Sequence, residues 1–155
     1  MIAILHNIRS IHNVAAIFRS ADGLGVEKLY LSGHTPTPVD RFGRKRQKFA
    51  KVALGAEETV AWEKIDDVHQ KITSLQARDL AVLACEPTRS ATDYRDISPD
   101  GETCLVFGNE PAGLPEDLLI TCDDVIQIPM QGEKSSLNVS VAFGVITARL
   151  IDKKS

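Results

Sequence analysis

The sequence predicts an α/β domain with a mainly parallel sheet and helices on both faces. Three observations predict it. Short, continuous apolar runs recur at 2–5, 28–32, 80–84, 103–107 and 125–128. Runs of that length, apolar without alternation, suit strands covered on both faces. Between them lie segments with helical spacing, such as Val14, Ile17, Phe18, Ala21 and Leu24, or Ile65, Val68, Ile72 and Leu75. Strands and helices therefore alternate, and crossover connections of that kind build a parallel sheet.

Each element has its own signal. The first strand is 2–5. A helix is expected over 13–24, with Asn13 as its N-cap and Gly23 or Gly25 as its stop. Arg19 falls two turns in, off the apolar stripe. The second strand, 28–32, leads into a stretch at 33–48 whose prolines, glycines and charge run make it a loop. A loop that long inside a compact domain is usually functional. A helix over 49–57, a brief strand at 60–62 and an amphipathic helix over 65–75 follow. After the strand at 80–84, residues 89–101 read as a polar connection. The strand 103–107 ends in a Gly/Pro turn, GNEPAGLP. A short helix over 115–121 then starts at Pro115, and 125–128 is the last strand.

The chain is organised around its end, IPMQGEKSSLNVSVAFGVITARL at 128–150. It turns at Pro129, crosses a loop with Gly132, Lys134, Ser135 and Ser136, and becomes almost wholly apolar from Asn138. Only Ser140, Thr147 and Arg149 are polar between Val139 and Ile151. A helix apolar all round is expected to be buried on more than one side, against its own sheet and a second subunit. Ser135, Ser136 and Asn138 are capping residue types at its start, where free N–H groups and the helix dipole gather. Such a mouth is suited to holding a ligand.

The totals bound the reading. The chain's 155 residues suffice for one domain, expected to span 1–155 and to bury roughly 70% of its unfolded surface. Hydrophobic content of 43% and charged content of 25% are those of a globular protein. No apolar run approaches the roughly 20 residues of a membrane span, and MIAILHNIRS has neither a charged leader nor a cleavage site. Cys85, Cys104 and Cys122 are odd in number, far apart and set among apolar neighbours. They read as reduced core residues of a cytoplasmic protein. His6, His12, His34 and His69 have no metal-ligand spacing, so no metal is expected. The net charge of −3 argues against nucleic acid, but its distribution argues for a polyanion. Arg41, Arg44, Lys45, Arg46, Lys48 and Lys51 lie within eleven residues, and removing those six takes the charge to −9.

Two nucleotide motifs fail. Gly23-Leu24-Gly25 lacks a third glycine and ends a helix, so it is no dinucleotide fingerprint. In Gly132-Glu133-Lys134-Ser135 a glutamate splits the Gly-Lys pair, and Gln127 stands where a phosphate loop has its first glycine. No Ser-His-Asp or Cys-His set is indicated.

Three polar segments at carboxyl edges of the sheet are more specific. NIRSIHNVAAIFRSADGLGV, LVFGNEPAGLP and IPMQGEKSSLNVSVA resemble the three ordered motifs of the SpoU-type (TrmH-like) RNA ribose 2′-O-methyltransferases, of the SPOUT superfamily. The motifs cover about a third of the chain and lie towards both ends of it. The resemblance implies a C-terminal trefoil knot, which residue patterns alone could not show. It implies an S-adenosylmethionine pocket formed by that knot, a homodimer packed through it, and tRNA or rRNA as substrate. By position it places the family's reactive residues at Asn13, Arg19, Glu110, Ser136 and Asn138. Cofactor contacts fall at Cys85, Gly108, Ile128, Met130, Ser136 and Leu137. Departures are Ala15, where the family often has glycine, and Pro111-Ala112 after the glutamate.

In physical terms, methyl transfer to a ribose hydroxyl needs placement and a more nucleophilic oxygen, not a metal. Orientation alone can contribute roughly 7–11 kcal/mol. A guanidinium does not normally lose its proton. Arg19 therefore serves better as an electrostatic clamp on the neighbouring phosphate than as a base. Glu110 could orient Arg19. Arg41, Arg44, Lys45, Arg46 and Lys48 are the candidate RNA contacts. Each residue also has a plain structural reading: Arg19 as a surface ion-pair partner, Asn13, Ser136 and Asn138 as caps, Glu110 as an acceptor for turn N–H groups. The rival function is a non-catalytic RNA-binding or ribosome-assembly protein with the same fold.

Overall fold

The computed structural model describes residues 1–152. Seven strands, all parallel to their neighbours, form one sheet in the order β3-β2-β1-β6-β4-β7-β5. They are β1 (Ile2–His6), β2 (Lys28–Ser32), β3 (Ala61–Ile65), β4 (Ala81–Cys85), β5 (Thr92–Asp93), β6 (Thr103–Phe107) and β7 (Asp124–Gln127). The helices are α1 (Ile11–Leu24), α2 (Gln47–Ala53), α3 (Ala56–Thr59), α4 (Val68–Gln76), α5 (Glu116–Thr121) and α6 (Val139–Asp152).

The continuous apolar runs are strands because alternate side chains enter two separate cores. Ala3, Leu5, Leu29, Leu31, Leu105 and Phe107 face one side, where they pack with Val14, Ile17 and Phe18 of α1, Phe49 of α2 and Phe143 and Ile146 of α6. Ile4, Tyr30, Val82, Ala84, Cys104 and Val106 face the other, against Val68, Ile72 and Leu75 of α4 and Leu118 of α5. The expected α/β architecture, with helices on both faces of a parallel sheet, is thus observed.

Several local expectations change, the first being that β3 runs on to Ile65, so α4 begins at Val68 and not at Ile65. Helix α1 starts at Ile11, because Ser10 and not Asn13 is its N-cap. The single helix expected over 49–57 is two, broken where Leu54 (φ 53°) and Gly55 (φ 93°) are both left-handed. The polar connection at 89–101 contains β5, which pairs with β7 through Thr92↔Ile126 and Asp93↔Gln127. Helix α6 buries Val139, Phe143, Ile146, Thr147 and Leu150, but within the single chain it leaves Val141 50% and Val145 36% exposed.

The topology places the polar segments. Strands β6, β4 and β7 are neighbours in the sheet, so the segments after them emerge side by side along one edge. The segment after β1 lies next to that of β6. No helix of the described residues is long and apolar enough to cross a membrane.

Candidate active site

The site begins with a capping choice. Ser10 Oγ accepts the Asn13 N–H at 3.2 Å and completes the start of α1. Asn13 is then the third helical residue, buried, with its side chain released from capping. Asn13 Nδ2 donates to Glu110 Oε1 at 2.8 Å, and Asn13 Oδ1 accepts from Asn138 Nδ2 at 3.2 Å. Glu110 Oε1 also accepts the Val139 N–H at 3.1 Å. Asn138 Oδ1 accepts from the Ser140 N–H at 2.9 Å and the Ser140 hydroxyl at 2.6 Å, so it caps α6. One network therefore joins the three polar segments. The capping readings of Glu110 and Asn138 hold alongside whatever else these residues do, and a carboxylate at a helix N-terminus is electrostatically favoured.

Beside this network a cavity of about 290 Å³ opens at the carboxyl ends of β4, β6 and β7, where parallel α/β sheets hold ligands. Cys85, Gly108, Ile128, Met130, Ser136 and Leu137 all line it, as do Glu110 and Ser135. One wall is apolar, from Phe107, Ile126, Ile128, Met130 and Ile146. The rest carries backbone groups of the turn 108–113, two hydroxyls and two carboxyls. Burial pushes the Cys85 thiol well above its usual range, so it stays protonated and lines the wall as a small apolar group.

Gly108 has a structural reason of its own. A Cβ there would lie 2.8 Å from two Leu114 side-chain carbons and 3.0 Å from the Gly113 carbonyl carbon. The missing side chain lets the turn fold back on itself. Glu86 is the lining residue that the sequence reading missed. Its carboxylate accepts the Leu114 N–H at 3.1 Å, and a Cβ on Gly113 (φ 65°) would sit 2.2 Å from its Oε1. Burial raises its pKa, while the Leu114 N–H pulls it back. The signal was its place, immediately past a strand's carboxyl end.

Arg19 is not brought to this cavity within the chain. It follows Asn13 by six positions on the helix, about 9 Å along the axis and about 120° around it. It lines a shallow groove with His12, Ala16, Ser20 and Val52. Among the described residues it makes no hydrogen bond or ion pair.

The basic run is partly neutralised. Lys45 pairs with Glu58 at 2.5 Å and Glu57 at 3.8 Å. Arg44 Nε donates to Asp40 at 2.9 Å, and Arg46 Nε to the Val39 carbonyl at 3.3 Å. Arg41 and Lys48 have no such partner among the described residues. No group of three His, Cys, Asp or Glu is placed to hold a metal among the described residues.

The fold and this cavity define a ligand-binding α/β domain whose site is shared by three separated segments. A profile of the SpoU rRNA Methylase family matches residues 1–148, and the chain belongs to that family. It is 32% identical over 146 residues to the tRNA (guanosine(18)-2′-O)-methyltransferase of Aquifex aeolicus, covering 94% of this chain and 66% of that one. The chain thus spans just under two thirds of that relative's length. The crystal structure of the A. aeolicus TrmH/SpoU tRNA modifying enzyme superposes with a TM-score of 0.86 at 29% identity, covering 99% of this chain and 74% of that one. The SpoU methyltransferase AviRb from Streptomyces viridochromogenes, in complex with the cofactor AdoMet, shares the fold with a TM-score of 0.86 at 24% identity, over 99% of this chain and 60% of that one.

Proposed function

We propose that this protein is an S-adenosylmethionine-dependent methyltransferase acting on a ribose 2′-hydroxyl of tRNA or rRNA. The observation that carries it is the cavity whose lining includes every residue the family motifs assign to the cofactor, braced by the Asn13–Glu110–Asn138 network. Its volume is at the small end of ligand pockets, roughly 300–1,000 Å³. The donor set suits the cofactor: an apolar slot for a base, hydroxyls and turn N–H groups for polar edges, and the Glu86 carboxylate for ribose hydroxyls or a cationic sulfonium. Bound there, the cofactor supplies an electrophilic methyl group.

The remaining work falls to the chain. Ser136 at the cavity's rim positions the incoming ribose. Arg19 clamps the adjoining phosphate and steadies the charge that grows on the 2′-oxygen. Because its own chain holds Arg19 away from the cavity, the working unit is a homodimer in which Arg19 of one protomer serves the cavity of its partner. The exposed Val141 and Val145 of α6 support that reading. The segments that build the cavity are those the family threads through its knot, and that threading belongs to the same proposal.

Transfer of labelled methyl groups to transcribed tRNA and rRNA fragments tests the activity. Arg19→Ala should lower turnover by about 10²-fold while calorimetric S-adenosylmethionine binding persists. A wild-type protein that binds no S-adenosylmethionine would return the reading to a non-catalytic RNA-binding protein. Mixing inactive protomers tests the sharing. Arg19→Ala combined with a cavity variant that cannot bind cofactor should regain activity, since one of the two shared sites then carries neither defect. No regain would place Arg19 with its own cavity.

A further inference from the structure

Phe42 has no place in either core. Its side chain is 66% exposed, although a phenyl ring is among the groups most favoured by burial. The segment that carries it is nonetheless built to hold it. Val39 and Lys45 pair as an antiparallel bridge. Asp40 N–H donates to the Arg44 carbonyl at 2.8 Å, and Gly43 N–H to the Asp40 carbonyl at 2.9 Å. The Asp40 carboxylate accepts the Phe42 N–H at 2.8 Å, the Arg44 N–H at 3.0 Å and the Arg44 guanidinium at 2.9 Å. Arg46 N–H closes the base on the Pro38 carbonyl at 3.0 Å. The guanidinium carbons of Arg41 and Arg44 lie 4.7 and 4.9 Å from the ring centroid.

We propose that Phe42, set between Arg41 and Arg44 on this hairpin, is a stacking platform for an unpaired nucleobase, so that the protein grips its RNA through single-stranded nucleotides. The inference rests on the methyltransferase reading above and names the form of RNA that it takes. A planar ring accepts the face of any base, and flanking guanidinium groups add cation–π attraction and phosphate contacts. The two arginines differ in freedom. Arg44 is tied to Asp40 and stays beside the ring. Arg41 has no hydrogen bond or ion pair among the described residues, so it can leave the ring for a phosphate and free space for a base.

Position agrees. The hairpin follows β2, the cavity lies at the ends of β6, β4 and β7, and β1 stands between them in the strand order. The loop that carries the platform therefore starts on the edge where the cavity opens, and Lys45 ties the base of the hairpin to Glu57 and Glu58 of α3. A basic surface alone would not need an exposed phenyl ring, and would favour the denser charge of a duplex. Duplex RNA hides its base faces, so a stacking platform selects unpaired nucleotides.

Fluorescence anisotropy with labelled oligouridylate and with a blunt RNA duplex of equal length tests this on the full chain. Phe42→Ala should weaken oligouridylate binding about 5- to 150-fold and leave duplex binding unchanged. Phe42→Trp should keep the wild-type preference. Equal binding of oligouridylate by Phe42→Ala and wild type overturns the proposal, as does an equal loss for both RNAs. A change of particle mass in light scattering with RNA affinity intact also overturns it, since the ring would then cover a protein surface. Calorimetry keeps the two readings apart. Absence of S-adenosylmethionine binding by the wild type would overturn the methyltransferase reading, and the oligouridylate titration would still decide the platform.

Discussion

Removing the Glu110 carboxylate should cost more stability than its exposed position suggests. Its Oε1 accepts two N–H groups, from Asn13 at 2.8 Å and from Val139 at 3.1 Å. Asn13 is only 8% exposed, so its amide would be left with little water to replace the carboxylate. A hydrogen bond to a charged acceptor contributes about 1.5–3 kcal/mol. The Val139 N–H is a free donor at the start of α6, and losing its acceptor costs about 0.5–1 kcal/mol. Glu110→Ala should therefore destabilise the protein by about 2–4 kcal/mol. Glu110→Gln keeps an acceptor and should cost about half as much. Equilibrium urea unfolding measures both. A double-mutant cycle with Asn13→Ala isolates the shared bond, expected at about 1–2 kcal/mol of coupling. Costs that add to within about 0.3 kcal/mol would refute the claim that Asn13 and Glu110 act as one unit.

Three further outcomes follow from the geometry. Gly108→Ala should destabilise by about 1–3 kcal/mol and weaken S-adenosylmethionine binding in calorimetry, because its Cβ would meet Leu114 and the Gly113 backbone. His6 hydrogen-bonds Ser32 Oγ at 2.9 Å and Asn7 Nδ2 at 3.1 Å. Its pKa is lowered first by burial and then by His69, with Asp117 opposing. The unfolded chain then takes up this proton more readily. Stability is full above the ordinary histidine pKa of about 6.5 and falls with pH through the lower folded value. Thermal melts of His6→Asn should show a shallower acid slope than those of the wild type. In the homodimer proposed above, Val141→Asp on the exposed side of α6 should shift the particle mass in light scattering from dimer towards monomer, with the far-ultraviolet spectrum unchanged.

Strands β1, β2, β4 and β6 were legible because they are short runs of residues such as Leu29 and Leu31 or Leu105 and Phe107 that must be covered on both faces. β5 was not, since Thr92 and Asp93 are polar and become a strand only because Gln127 and Ile126 lie alongside. The start of α1 was misplaced because Ser10 and Asn13 can each cap a helix. The choice falls to Ser10 because Asn13 has tertiary partners in Glu110 and Asn138, and those lie 97 and 125 residues away. The cavity lining was legible through motif resemblance, but Glu86 carried no motif and needed the fold to bring it against Gly113 and Leu114. Arg19 shows the converse. Its spacing from Asn13 already sets the two on different sides of the helix, whatever chemistry they share. For the basic run, composition counted six cations but could not reveal that Glu57, Glu58 and Asp40 occupy two of them.

The amide pair between Asn13 and Asn138 spans 125 residues. At a synthesis rate of roughly 5–20 residues per second, the first of these residues is added roughly 6–25 s before the second. Throughout that interval the nascent polypeptide lacks the residues that close the pocket. Messages cut short before the final helix would yield proteins that bind no cofactor, so competence arrives only with the last stretch off the ribosome.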